Sequence, residues 1–281
     1  MSLSVEARRR GRQARIDEME TYPEFKILET LVNDPKASPS DAVRQLLDLT
    51  TTAASTHEYR DLGVHPWHTS LSLIEIAKRN PPSRHTKLVE CIAKLQKTRV
   101  TNPRTDEPLK INSGLVWTQL PSLGYTASDE WNSYLPNHPL TTPEDQQRWE
   151  RFIALLAQLS AAADVDYDDP MVHPMDFSMW SLRAFKEASE PADGQQVPTD
   201  HVVRTACMWA LYAAERLWAN VRHGRVFDKR DDKPGTEITR EMWDSWYGAL
   251  VAAQTTGTDE ETERLVDDAV TKMRKVSAGT S

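Results

Sequence analysis

The chain has 281 residues, 39% of them hydrophobic, and a formal net charge of −8. That is enough apolar material for one large domain or two small ones, and too much for wholesale disorder. The acidic balance disfavours a general nucleic-acid-binding surface, no apolar run reaches the roughly 18 residues of a membrane span, and no apolar core of a signal peptide follows the N-terminal charges.

The two cysteines, Cys91 and Cys207, fall on apolar faces of expected helices, which predicts buried free thiols and a reducing, cytoplasmic setting. Nine Trp stand against five Phe. Each indole brings a large apolar area and one N–H that needs a partner, so these rings are expected at helix contacts.

Residues 1–20 carry Arg8, Arg9, Arg10, Arg12 and Arg15, followed by Asp17, Glu18 and Glu20. One reading is an anion-binding or nuclear-localisation arm; the expected one is a solvated N-terminal helix whose charges nearly cancel. Pro23 to Asp34 reads as a short helix with Phe25, Leu28, Leu31 and Val32 on one side. Ser38-Pro39-Ser40-Asp41 is a strong helix start, with Ser38 as cap and Pro39 at the first helical position. His57 to His68 reads as a polar connector, and Pro66 places His65 and His68 at a loop-to-helix entry. Helices through Leu71–Ala77 and through Leu88–Leu95, parted by Asn80-Pro81-Pro82, read as an antiparallel pair.

From Leu115 to Pro143 the chain is rich in turn residues yet holds Trp117, Leu120, Leu123, Tyr125 and Trp131. It reads as a long apolar loop packed across helices. Thr142-Pro143-Glu144-Asp145 starts a helix through Trp149, Phe152 and Leu159, and an acidic loop, Asp164 to Asp169, follows it. A further helix through Met179, Trp180 and Phe185 precedes the longest apolar-periodic run, Thr199 to Gly224. In that run Gly224 stands where a left-handed cap belongs. Thr239 is expected to cap a helix with Trp243 and Trp246, and Thr258 with Glu261 to form a capping box for the last helix.

No segment alternates with period two. The expected fold is all-α: an arm over residues 1–20, one irregular domain over 21–276 with eight to ten helices around a long central helix, and a tail over 277–281.

Three segments resemble an uncharacterised family of fungal proteins, a domain of unknown function. They are Trp117-Thr118-Gln119-Leu120-Pro121 with Gly124 and Asp129-Glu130-Trp131-Asn132, the Trp149–Leu159 helix, and Trp243-x-x-Trp246 followed by the Met273 helix. The second segment has Glu150-Arg151 where the family tends to have Asn. The resemblance covers roughly residues 110–276. It implies an all-helical fungal protein, with some members encoded beside genes of small-molecule biosynthesis, and it carries over no catalytic residue.

His65-Pro66-Trp67-His68 could supply an acid–base histidine, with ordinary capping or surface roles as the bland reading. A metal there would need a third and fourth ligand, which the sequence does not supply, so no metal is expected. Asp164 to Asp169 fails as a calcium loop, having Asp169 and Met175 where Gly and Glu belong. His173-Pro174-Met175-Asp176 leads into a helix, with Asp176 as N-cap or, with His173, as a proton-transfer dyad. No nucleophile elbow, P-loop, dinucleotide fingerprint or C-x-x-C occurs, so no cofactor is expected. Trp67, Trp117, Trp131, Trp180, Trp209, Trp243 and Trp246 could line an aromatic pocket for an apolar small molecule, or could be core.

Two functions follow. One is a cofactor-independent enzyme or ligand-binding protein of small-molecule metabolism, using His65, His68, His173 and Asp176 for cyclisation, isomerisation or dehydration. The other is a non-catalytic helical interaction module presenting an exposed apolar patch.

Overall fold

The computed structural model describes residues 5–55, 59–111, 114–134, 141–169, 171–190, 197–228, 234–254 and 259–279. Among them are eleven α-helices, two short 3₁₀ turns and two two-stranded antiparallel hairpins, an all-α protein. The chain divides into two compact units, Met1–Arg151 and Phe152–Ser281. Among the described residues, no helix is long and apolar enough to cross a membrane.

The first unit holds α1 (Val5–Met19), α2 (Pro23–Asn33), α3 (Pro39–Ser55), α4 (Tyr59–Arg79), α5 (Thr86–Gln96), α6 (Pro121–Ser133) and the start of α7 (Pro143–Ala162). Its helix starts follow local chemistry. Ser38 Oγ accepts the Asp41 N–H at 3.1 Å, and Thr142 Oγ1 accepts the Asp145 N–H at 3.2 Å while Asp145 Oδ2 accepts the Thr142 N–H at 3.0 Å. These reciprocal caps satisfy donors that a bare helix end would leave open. Helix α4 packs on α2, α3 and α6, and its residues Leu73, Ile74, Ile76 and Ala77 are buried. Phe25, Leu28, Leu46, Leu88 and Leu95 complete this core.

Three expectations are corrected here. Pro66 lies inside α4, seven residues beyond its start, so His65 and His68 sit on a helix and not at its entry; His57 is outside the described residues. An interior proline removes one backbone hydrogen bond and costs about 3 kcal/mol. Burial of Leu62, His65 and Pro66 itself offsets that cost. The stretch expected as a long loop contains α6, which begins at Pro121 after a left-handed Leu120 (φ 43°). Gly124, Thr126 and Ser128 are weak helix formers, but Leu123, Ala127 and Trp131 lie four apart on one buried stripe. Finally, α5 packs chiefly on α3 and α2, not as a hairpin partner of α4.

The second unit holds the rest of α7, α8 (Ser181–Ser189), α9 (Asp200–Arg222), α10 (Arg240–Ala253) and α11 (Glu260–Ala278). Helix α9 is the apolar run that the sequence marks most strongly, and α8, α10 and α11 all pack on it. Thr199 precedes it, and Gly224 takes the left-handed conformation (φ 56°) just past its end. A side chain with a Cβ is strained at that angle. Thr239 Oγ1 caps α10 by accepting the Met242 N–H at 3.3 Å. The cap of α11 is Asp259, which accepts the Thr262 N–H at 2.8 Å, and Thr258 lies outside the described residues. Both cysteines are buried free thiols, and burial pushes the Cys91 thiol up to about 12.

Candidate functional site

Helix α2 runs its buried stripe through Glu24, Leu28 and Leu31, at spacings of four and three. A carboxylate therefore stands where the pattern calls for an apolar group. Helix α3 does the same with Val43, Leu46 and Thr50. Helix α4 brings His65 and His68 to meet them, and the loop before α6 brings Trp117.

Hydrogen bonds link Glu24, His65, Thr50 and Trp117 into one chain. Glu24 Oε1 lies 2.6 Å from His65 Nδ1. His65 Nε2 lies 3.0 Å from Thr50 Oγ1 and 3.2 Å from the Leu46 carbonyl. The Thr50 hydroxyl donates to that same carbonyl at 2.8 Å and accepts the Trp117 indole N–H at 3.0 Å. Whether Thr50 Oγ1 or His65 Nε2 donates in their contact follows from the imidazole tautomer. The Trp117 ring stands edge-on to His65 at 5.5 Å. Glu24, Thr50, His65 and Trp117 are all buried, so this part of the cluster is closed to solvent.

The outer part is different. Glu24 Oε2 is buried and has no hydrogen-bond partner, and it lies 3.9 Å from His68 Nδ1. A carboxylate oxygen without a partner is costly to bury. His68 is half-buried and stacks flat on Tyr22, ring centres 3.6 Å apart. Its other neighbour is Trp67, tilted at 5.5 Å and 42% exposed. Burial pushes the His68 pKa below the ordinary value, against the opposing pull of Glu24, and His65 adds to the lowering. Burial and the nearby Glu18 carboxylate raise the Tyr22 phenol. The result is a neutral imidazole near neutral pH, stacked on Tyr22, with the Trp67 ring and a spare carboxylate oxygen beside it.

The second candidate pair behaves otherwise. Asp176 Oδ1 accepts the Ser178 N–H at 3.0 Å, and Oδ2 pairs with Arg225 at 2.7 Å. The residue capping the 3₁₀ turn Ser178–Trp180 is Phe177, so Asp176 acts from one position earlier than expected. His173 Nδ1 accepts the Met175 N–H at 3.2 Å, and its imidazole donates no bond to Asp176. Burial lowers the His173 pKa while Asp176 opposes the shift. Around them Arg216 donates to the carbonyl of Ser160 at 3.0 Å and to the Tyr167 hydroxyl at 3.0 Å, and Tyr167 donates to Asn220 at 3.1 Å. These bonds tie the acidic loop to α9.

The tryptophans are spread through both units. Trp67, Trp117 and Trp131 belong to the first, where Trp131 packs at 5.1 Å on Trp149. Trp180, Trp209, Trp243 and Trp246 belong to the second. There Trp180 meets Phe177 edge-on, Trp209 is fully buried, Trp243 leans on Trp218 and Trp246 stacks on Phe185. A cleft of about 330 Å³ in the first unit is lined mainly by charged side chains and by none of these indoles. Among the described residues, no group of three His, Cys, Asp or Glu side chains is placed to share a metal ion.

The sequence singles out His65, His68 and Trp67, and the structure adds Glu24, Thr50 and Tyr22 as their neighbours. The signal for Glu24 and Thr50 was a polar residue on an otherwise apolar helical stripe. Nothing in the sequence paired Glu24 with a histidine 41 positions away.

A family model described as "Protein of unknown function (DUF3632)" matches residues 71–267. No curated protein and no solved structure matches the chain.

Proposed function

The chain belongs to the DUF3632 family of proteins of unknown function, and we propose that it is a proton-transfer enzyme or ligand-binding protein of fungal secondary metabolism, cytoplasmic and working without a cofactor. The observation that carries this reading is the partnerless Glu24 Oε2 facing His68 Nδ1 at 3.9 Å. A neutral His68 takes a proton from a bound substrate at Nε2. The imidazolium so formed places its Nδ1–H toward Glu24, whose free oxygen stabilises the new charge. The proton then returns to a second atom of the same molecule. Net isomerisation, cyclisation or dehydration needs no other reactant for this step. Tyr22 and Trp67 supply flat apolar surface beside the imidazole, which suits an apolar or aromatic substrate. His65 acts as a positioning residue, because it holds Glu24 through Oε1 and so leaves Oε2 for His68.

The test is untargeted. The purified protein and a His68→Gln variant are each incubated with a small-molecule extract, and compounds are followed by mass spectrometry. A compound consumed by the wild type and untouched by the folded variant is expected. Equal consumption by both proteins overturns the assignment of His68.

A second reading is the non-catalytic interaction module. It is favoured by Trp67 at 42% and Tyr125 at 66% exposure in the first unit, and by the adjacent Met171 and Val172 in the second, at 71% and 50%. Substitution of Trp67 would then abolish a protein partner's binding and leave no turnover to lose.

A further inference from the structure

The charged cleft of the first unit carries its own assignment. Its walls include Arg12 and Glu20, Glu75 and Arg79 of α4, and Glu144 and Arg148 of α7. At about 330 Å³ it is at the lower end of small-molecule sites. Three arginines and three glutamates leave it formally neutral, so a simple anion or cation meets nearly cancelling charges.

The charges are not evenly matched along it. Glu75 is buried and uses both oxygens: Oε1 accepts from Arg79 Nε at 2.7 Å and Oε2 from Arg148 Nη2 at 2.7 Å. Arg79 Nη1 reaches Glu20 at 2.8 Å. Two guanidiniums thus flank one buried carboxylate on the floor, and Arg148 has no second carboxylate among the described residues. Arg148 Nε and Nη1 and Arg79 Nη2 make no hydrogen bond among the described residues. These donors sit on groups held in place by Glu75 and, for Arg79, by the Phe25 ring at 5.2 Å. Glu144 is the opposite case. It is exposed, one helical turn before Arg148, and it makes no ion pair among the described residues, because Arg148 turns inward to Glu75. Spare guanidinium donors and a spare carboxylate one turn away form a dipolar site.

We propose that this cleft binds a small zwitterion of the α-amino-acid class. The ligand carboxylate sits on Arg148 and Arg79, and its ammonium faces Glu144. The fork of a guanidinium matches a carboxylate's two oxygens, and the flanking glutamate selects for the ammonium and against a bare anion. This site is independent of the His68 reading, and either can fail without the other.

The test is calorimetric titration of the full chain with the common α-amino acids, then with the N-acetyl and the carboxamide forms of any that bind. Each blocked form deletes one of the two charges. At least one amino acid is expected to bind, with affinity falling about tenfold or more in both blocked forms. Glu144→Gln, at an exposed and unpaired position, should weaken binding about tenfold with no change in unfolding midpoint; Arg148→Lys should weaken it further. Three results would overturn the proposal: no amino acid binds, sulfate or acetate binds as well as the best amino acid, or affinity is unchanged by blocking and by Glu144→Gln.

Discussion

Glu24 in the first unit and Asp176 in the second are both buried carboxylates beside a histidine, yet they are bonded in opposite ways. Asp176 has a partner on each oxygen, the Ser178 N–H and the Arg225 guanidinium. Glu24 has one on Oε1 and none on Oε2. A carboxylate partnered on both oxygens is a structural fastener. A half-partnered one stores an unmet need for a donor, and His68 is the group placed to meet it on protonation. Proximity of acid and histidine in the sequence therefore says little, since the pair only three residues apart shares no hydrogen bond between its side chains.

The largest effect expected from this contrast is at the fastener. Asp176→Ala strands a nearly buried Arg225 and should cost about 3–5 kcal/mol, read as a lower denaturation midpoint. Glu24→Gln keeps an acceptor for His65 but removes the charge. The expected loss is smaller, about 1–2 kcal/mol in the same measurement. A larger loss for Glu24→Gln than for Asp176→Ala would break the comparison. Smaller again is Trp117→Phe, which deletes one N–H bond to Thr50 and should cost about 1 kcal/mol by denaturant unfolding.

The pH dependence sharpens the same point. Burial lowers the pKa of His68, His85 and His173, so each binds a proton more readily in the unfolded chain. Their shared contribution is in place above the ordinary histidine pKa of about 6.5 and is lost as pH falls through the lower folded values. The denaturation midpoint should thus decline from pH 7.5 to pH 5.5. Glu75 and Asp145 add nothing in that window. Burial opposes their ionisation, but the arginines around Glu75, and for Asp145 the Thr142 bonds and Arg12, outweigh it and hold both carboxyls below the usual range.

Much of the helical skeleton was legible because its signals are local. Ser38-Pro39, Thr142-Pro143, Thr239 and Gly224 mark ends by side chains that bond or bend the backbone within four residues. The misreadings share a cause: Pro66 and the Gly124–Ser128 stretch carry unfavourable local propensity that buried neighbours override. The site was legible only in halves. His65 and His68 announce themselves by residue type, whereas Glu24 and Thr50 look like helix-start and surface residues until their stripes are traced. The expected aromatic pocket was a reading of composition, and composition does not tell which indoles share a wall. The family model begins at residue 71, so Glu24, Thr50, His65 and His68 all precede the matched region. The resemblance over residues 110–276 could not have pointed to them.

The central claim is that Glu24 acts on His68 through its free oxygen. Imidazole nitrogen NMR, titrating His68 in the wild type and in Glu24→Gln, tests it most directly. The account predicts a His68 pKa below the ordinary value, falling further when the Glu24 charge is removed, with His173 unmoved. An ordinary His68 pKa that Glu24→Gln leaves unchanged would contradict it.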